Sequence, residues 1–257
     1  MHVIFCNVGE GDAILIRTFD YKNILIDGGS ADSVLTCLSN HLPFWERKLD
    51  VVFLSHQHAD HLNGLVSVLD RYTVVHFLSE NVENGTILEK VEKDVLAEKN
   101  LTASYLSKGN RIVVTGKTEI KVLWPPKELV ELSLNNDKKG NLDVNGLALA
   151  QLLIYGKFRV LLTSDLEIPF LDIFARDVGK VSVLKVSHHG SKNGLSKAVL
   201  TSTIPDLAVI SVGKNTYGHP TKETLSLLKE KGIRVLRTDQ KEDIEIISDG
   251  NSWAIVN

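Results

Sequence analysis

Apolar and polar positions alternate along this chain in short blocks. Residues 2–8, 13–18 and 23–26 are rich in Val and Ile and are cut by Gly9, Gly11 and the pair Gly28-Gly29, the pattern of short strands separated by turns. Residues 51–54 form a continuous apolar run, which reads as a strand buried on both faces. The run delivers the chain into Ser55-His56-Gln57-His58-Ala59-Asp60-His61, after which Leu62, Leu65, Val66 and Leu69 follow at helical spacing. The polar cluster therefore sits at a strand-to-helix turn. Helical spacing also marks 32–42 and 88–99, with strand character returning at 74–78.

Farther along, strands are expected at 111–114, 120–123, 147–155 and 158–162, the last two joined by the hairpin turn Gly156-Lys157. Strands at 181–186, 207–212, 234–236, 244–247 and 253–256 then alternate with helices near 196–201 and 221–231. Residues 134–143, rich in Asn, Asp, Lys and Gly, read as a loop. They divide a single domain over 1–257 into two αβ halves, approximately 1–133 and 144–257. Alternation in both halves predicts a four-layer αββα sandwich of two packed sheets with helices outside. Two separate α/β domains are the alternative, and the lack of a linker argues against it.

Composition narrows the class. A chain of 257 residues buries a core without a metal or disulfide staple. Hydrophobic residues at 43% and charged residues at 24% exclude long disorder, and no apolar run approaches the ~20 residues of a bilayer span. The first residues lack the basic region and cleavage site of a signal peptide. Cys6 and Cys37 are too few for a disulfide framework, so a reducing, cytoplasmic setting is expected. With 29 basic and 32 acidic residues the net charge is −3. An anionic substrate must then be attracted locally, by a metal or a small basic patch. Trp45, Trp124 and Trp253 show no spacing that suggests a base-stacking platform.

His56-x-His58-x-Asp60-His61 places three imidazoles and a carboxylate at the mouth of a buried strand, the donor types that borderline divalent metals prefer. A solvated His-rich loop is the bland alternative, and the rigid strand-and-helix mount argues against it. Four donors cannot complete two metal shells, so others must come from later in the chain. Asp165, in Thr163-Ser164-Asp165, follows the strand at 158–162; alone it reads first as a turn or cap residue. His188 and His189 follow the strand at 181–186, and alone would read equally well as turn histidines. Strand ends of one layer converge on one edge, which joins these donors to the first cluster.

The HxHxDH segment, Asp165 and His188-His189 together resemble the metallo-β-lactamase-fold hydrolases. The ordered series Asn7-Val8-Gly9-Glu10-Gly11-Asp12-Ala13, Leu25-Ile26-Asp27-Gly28-Gly29, Leu162-Thr163-Ser164-Asp165, Ser187-His188-His189-Gly190-Ser191 and Asn215-Thr216-Tyr217-Gly218-His219-Pro220 is similar to the hydrolase domain of ComEC/Rec2-type competence proteins. The resemblance implies an αββα fold and one or two divalent ions, zinc first and manganese as the alternative. It implies one metal position at His56 and His58 and a second at Asp60 and His61, bridged by Asp165. His189, directly before a glycine, would complete the second position, and Asp27 would support the histidine loop from behind. Asn145 stands where the superfamily commonly supplies a further histidine, so the first ion should be held more weakly. His58 replaces an aspartate usual in the competence branch, whereas Asn63-Gly64 and Lys241-Glu242-Asp243 read as surface changes.

Asp60, His188 and His219 are the groups expected to act in the chemistry, with Ser191, Lys192 and Asn215 beside them as substrate contacts. His219 precedes Pro220 and Thr221, an expected N-cap, and a helix N-terminus suits a phosphate oxygen. A metal pair lowers the pKa of bound water to ~7, so a hydroxide would attack a phosphodiester while His188 or His219 protonates the leaving oxygen. The expected function is therefore that of a phosphodiesterase or nuclease acting on DNA, associated with a membrane DNA-uptake channel. Two alternatives remain at this point. One is hydrolysis of a lactone, thioester or phosphorylated metabolite; the other is a metal-binding module of an uptake system with weak catalysis.

Overall fold

A computed structural model describes residues 1–82, 86–135 and 144–256. An antiparallel meander of β1 (His2–Phe5), β2 (Ile14–Arg17) and β3 (Asn23–Ile26) begins the chain. The units α1 (Ser33–His41) to β4 (Lys48–Leu54), α2 (Ala59–Arg71) to β5 (Thr73–Ser79), and α3 (Ile87–Glu98) to β6 (Ala103–Tyr105) follow. Next come β7 (Arg111–Thr115), β8 (Thr118–Trp124), α4 (Lys127–Asn135), β9 (Ala150–Tyr155) and β10 (Phe158–Leu162). Helix α5 (Phe170–Ala175) precedes β11 (Val183–Lys185), α6 (Lys197–Thr203) precedes β12 (Leu207–Ile210), and α7 (Lys222–Glu230) precedes β13 (Arg234–Arg237). Short α8 (Thr238–Lys241) leads to a closing hairpin of β14 (Ile244–Ser248) and β15 (Trp253–Val256).

Among the described residues the strands form an eight-stranded sheet, β15-β14-β1-β2-β3-β4-β5-β6, and a seven-stranded sheet, β13-β12-β11-β10-β9-β8-β7. Period-two alternation lets the central strands bury apolar side chains on both sides. Val3 and Phe5 of β1 pack between the sheets with Ile120, Phe158 and Val183. Ile4 points the other way, to a layer shared with Leu38 of α1 and Leu65 of α2. On the far side, Leu161 and Leu184 pack with Phe174, Leu200 and Leu228 of α5, α6 and α7. Three apolar layers thus separate four structural layers, and the αββα sandwich expected from the sequence is the fold observed.

Several details differ from expectation. The division near 133 and 144 does not coincide with the sheets, because β8 and β9, which flank that segment, are antiparallel neighbours in one sheet. The change of sheet falls between β6 and β7, and the β14–β15 hairpin returns to the first sheet beside β1. Residues 136–143 of the expected loop lie outside the described residues. The strand expected from 147 starts only at Ala150. Before it, Val144–Leu147 is a 3-10 turn pinned by Trp124, whose indole N–H donates to the Gly146 carbonyl at 2.8 Å. Asp243 is no surface change: its carboxylate accepts the Asn7 N–H at 2.7 Å and meets His41 Nε2 at 3.0 Å. Gly64 is needed for contact, since a Cβ there would lie 1.8 Å from the Gly28 carbonyl oxygen.

The two cysteines, too few to suggest a disulfide framework, are nevertheless joined. Cys6, just past β1, and Cys37, on α1, are both buried and joined as a disulfide with Cα atoms 5.7 Å apart. Packing of α1 on β1 creates that proximity, which a count of cysteines does not reveal. No helix among the described residues is long and apolar enough to cross a membrane. The bridge closes a separation of 31 residues, so the double variant Cys6→Ser/Cys37→Ser is expected to lose ~3–4 kcal/mol of stability. Urea denaturation with and without a reductant measures this. An unchanged midpoint would show that the bridge contributes nothing.

Candidate metal centre

Strands β3 and β4 run parallel, as do β10, β11 and β12, so their C-terminal ends open on one edge of each sheet. Asp27 follows β3, His56 to His61 follow β4, Asp165 follows β10, and His188-His189 follow β11. The turns there are sharp. Asp27, Ser164, His188 and His189 have φ of 60°, 49°, 47° and 51°, left-handed values that cost non-glycine residues ~1–3 kcal/mol each and persist where packing over-determines them.

Asp60, His61, Asp165 and His189 each place one donor atom within 4.8 Å of the others. Asp165 Oδ2 lies 3.4 Å from both His61 Nε2 and His189 Nε2, and His189 Nε2 is 3.3 Å from Asp60 Oδ2. The opposite ring nitrogens are spoken for. His61 Nδ1 reaches Asp27 Oδ2 at 2.8 Å, and His189 Nδ1 reaches the Ser211 carbonyl at 2.9 Å. A carbonyl only accepts, so His189 Nδ1 carries a proton and Nε2 is the nitrogen that an ion would take. Asp27 also accepts the Ser55 N–H and hydroxyl, each at 2.7 Å.

His56 stands beside this group, its ring centroid 4.1 Å from that of His61 and 4.7 Å from that of His58. His56 Nδ1 meets the Ser55 hydroxyl at 3.0 Å. The Nε2 atoms of His56, His61 and His189 and Asp165 Oδ1 are buried without a hydrogen-bond partner. Such atoms are costly to bury, and their convergence as nitrogen and oxygen donors fits a divalent ion. His58 is half-buried and, with Asn145, lines the open side of the centre.

Titration follows the same logic. Burial and the neighbouring His61 charge push the His56 imidazole well below its usual value. Burial opposes protonation of His61 too, but Asp165 and Asp27 outweigh it and raise its pKa well above the usual value. His189, buried beside Asp165 and Asp60, is raised to about 10, while Asp165 is held well below the carboxylate range despite its burial, by His189 and His61. Protons thus supply the positive charge that these carboxylates demand when no ion is present. Because the His189 pKa rises from 6.5 to about 10 on folding, its contribution to metal-free stability is full below pH 6.5 and is lost as pH climbs toward about 10. Zinc uptake at neutral pH is expected to release one proton from each of His61 and His189. Calorimetry in buffers of different ionisation enthalpy reads that release; its absence would mean that these imidazoles do not bind the ion.

Lys185 was not singled out by motif, although a lysine inside the apolar run at 181–186 is the signal that could have found it. Its ammonium is fully buried, pairs with Asp12 Oδ2, donates to the Ser164 carbonyl at 3.0 Å and lies 3.7 Å from Asp165 Oδ1. Burial opposes its charge, but Asp12 and Asp165 raise its pKa above the usual value.

A cleft of ≈ 400 Å³ opens over the donors, lined by Glu10, His58, Asp60, Asn145, Asp165, His188, His189, Tyr217 and His219 among others. His188 Nδ1 contacts Glu167 Oε1 at 2.9 Å, leaving Nε2 3.8 Å from Asp165 Oδ2. The His219 ring lies 5.6 Å from that of His188, and its Nδ1 is 3.4 Å from Glu10 Oε1. Thr221 caps α7 as expected, its hydroxyl accepting the Thr224 N–H. Asn215 shapes the turn carrying His219: its Oδ1 accepts the N–H groups of Gly218 and His219, and its amide donates to the His219 carbonyl. Ser191 and Lys192 are not among the lining residues. Ser191 instead donates to Glu167 at 2.8 Å, supporting the partner of His188, and Lys192 is exposed. Glu10, Asp12 and Glu167 carry roles that local spacing did not indicate.

Residues 6–134 match the family described as the Metallo-beta-lactamase superfamily. That segment holds the histidine cluster, whereas Asp165 and His189 come from beyond it. The chain is 28% identical to ComE operon protein 3 of Bacillus subtilis over 93% of this chain and 32% of that protein. It is 31% identical to Recombination protein 2 of Haemophilus influenzae over 81% of this chain and 24% of that protein. It therefore spans a third or less of the length of these relatives. Among solved structures, the metallo-beta-lactamase fold protein YhfI from Bacillus subtilis superposes with a TM-score of 0.62 at 15% identity, covering 93% of this chain and 96% of that one.

Proposed function

The chain belongs to the metallo-β-lactamase superfamily, and on that premise we propose that it is a metal-dependent hydrolase of phosphodiesters, with DNA as its substrate. The observation that carries the proposal is the set of buried, unpartnered donor atoms converging on Asp165. Asp60, His61, Asp165 and His189 would hold one divalent ion, and His56 and His58 a weaker second, with zinc the best match to these donors and manganese the alternative. Bound there, the metal would polarise a phosphoryl oxygen and lower the pKa of a water.

The chain's own residues then act around the phosphate. A carboxylate only accepts, so Glu167 fixes a His188 proton on Nδ1 and leaves Nε2, at the cleft, to take a proton from the attacking water and give it to the leaving oxygen. Burial and the nearby His188 charge hold the His219 pKa below its usual value, keeping that ring able to accept a proton at neutral pH. The names ComE operon protein 3 and Recombination protein 2 support DNA as the substrate and a place in competence. Association with a membrane uptake channel belongs to the same proposal.

One observation favours a second reading. Among the described residues that line the cleft there is no lysine or arginine, which suits a small ester or a phosphorylated metabolite. A panel of single-stranded DNA, double-stranded DNA, a simple phosphodiester and a lactone, each with zinc or manganese, separates the two. Metal-dependent cleavage of DNA that a chelator abolishes is the expected result, and turnover of the lactone alone would overturn the proposal. A steep fall of oligonucleotide affinity with salt would show how far phosphate contacts contribute.

A further inference from the structure

We propose that Tyr217 is a stacking platform for a nucleobase beside the scissile phosphate, an inference that rests on the phosphodiester reading above. Its ring lines the metal cleft yet is 76% exposed. It lies nearly parallel to His219, with an interplanar angle of 27° and centroids 5.8 Å apart. His219 is itself held edge-on against His188 at 5.6 Å. The turn is preorganised, because Asn215 Oδ1 accepts the N–H groups of both residues that follow Tyr217, at 2.9 Å and 3.0 Å. An aromatic ring so bare is held in place without being needed by the core.

Electrostatics decides how much of the affinity such a ring would carry. The net charge is −3, and among the described residues lining the cleft there is no lysine or arginine. Those described side chains offer no cation to the nucleic-acid backbone, whose charge usually dominates affinity. Stacking supplies affinity without regard to sequence, since every base has a π-face, and one aromatic contact changes binding about 10-fold or more. At ≈ 400 Å³ the cleft is of the size that takes a small organic ligand, such as one sugar-phosphate unit with its base against Tyr217.

The test uses the zinc-loaded protein and two short phosphorothioate strands that resist cleavage. One bears thymine at every position and the other is abasic throughout, with the same number of phosphates. Fluorescence anisotropy is expected to show about 10-fold tighter binding of the base-bearing strand. Tyr217→Ala should erase that preference, while Tyr217→Phe and Tyr217→Trp should keep it and zinc content stays unchanged in all three. A preference that survives Tyr217→Ala overturns the proposal, as does equal binding, or no binding, of the two strands by the unaltered protein. The readout is binding, so a base preference without any phosphodiester hydrolysis in the activity panel would sink the functional reading and leave the platform standing.

Discussion

Asp165→Ala is expected to abolish metal-dependent turnover and to strip the centre of its ion. Asp165 Oδ2 is the point equidistant, at 3.4 Å, from His61 Nε2 and His189 Nε2. Asp60 Oδ2 also faces both rings, at 3.9 Å and 3.3 Å, but it is the more exposed carboxylate. Losing a supporting residue behind a ligand typically costs ~10–100-fold in affinity or activity, so losing the shared ligand should exceed ~100-fold. Turnover in the substrate panel and bound zinc after dialysis, by elemental analysis, are the two measurements. Asp165→Asn, which keeps the shape and removes the charge, controls for misfolding and should fail almost as badly. Unchanged turnover in either variant would mean that the chemistry occurs elsewhere.

Lys185→Met should be the most destabilising single change in the site, at ~3–5 kcal/mol, because removing one partner leaves a buried charge uncompensated. Lys185 is buried completely with Asp12 and lies 3.7 Å from Asp165. Methionine fills much of the stem's volume but offers no charge to either carboxylate. Adding Asp12→Asn to Lys185→Met removes the stranded partner and is expected to restore part of the loss. Urea denaturation of the metal-free protein reads both. Equal stability of Lys185→Met and the unaltered chain would show that the ammonium is dispensable to the core.

Much of the architecture was legible before any coordinates. The alternation of apolar runs with helical spacing set the elements and the αββα class, because side-chain period reports which faces are buried. Residues 23–26, 158–162 and 253–256 were placed as strands with the bounds observed. Helices α4 and α5 and strand β6 escaped notice. The strand spans only Ala103–Tyr105 and α5 only Phe170–Ala175, too few positions for a periodic signal, and in α4 only Val130 is buried.

The site divides along the same line. His56, His58, Asp60 and His61 lie within six residues of one another, so their nearness is a local fact that spacing alone conveys. Asp165 and His189 are ordinary turn residues until the parallel order of β10 and β11 and the packing of that sheet on the other carry them to His61. Only that packing shows Lys185 as the partner of Asp12 rather than a solvated charge, and turns Cys6 and Cys37 into a bridge. Local pattern reports which way each side chain faces. The order of strands and the stacking of two sheets decide which distant side chains face one another, and that choice assembled the centre.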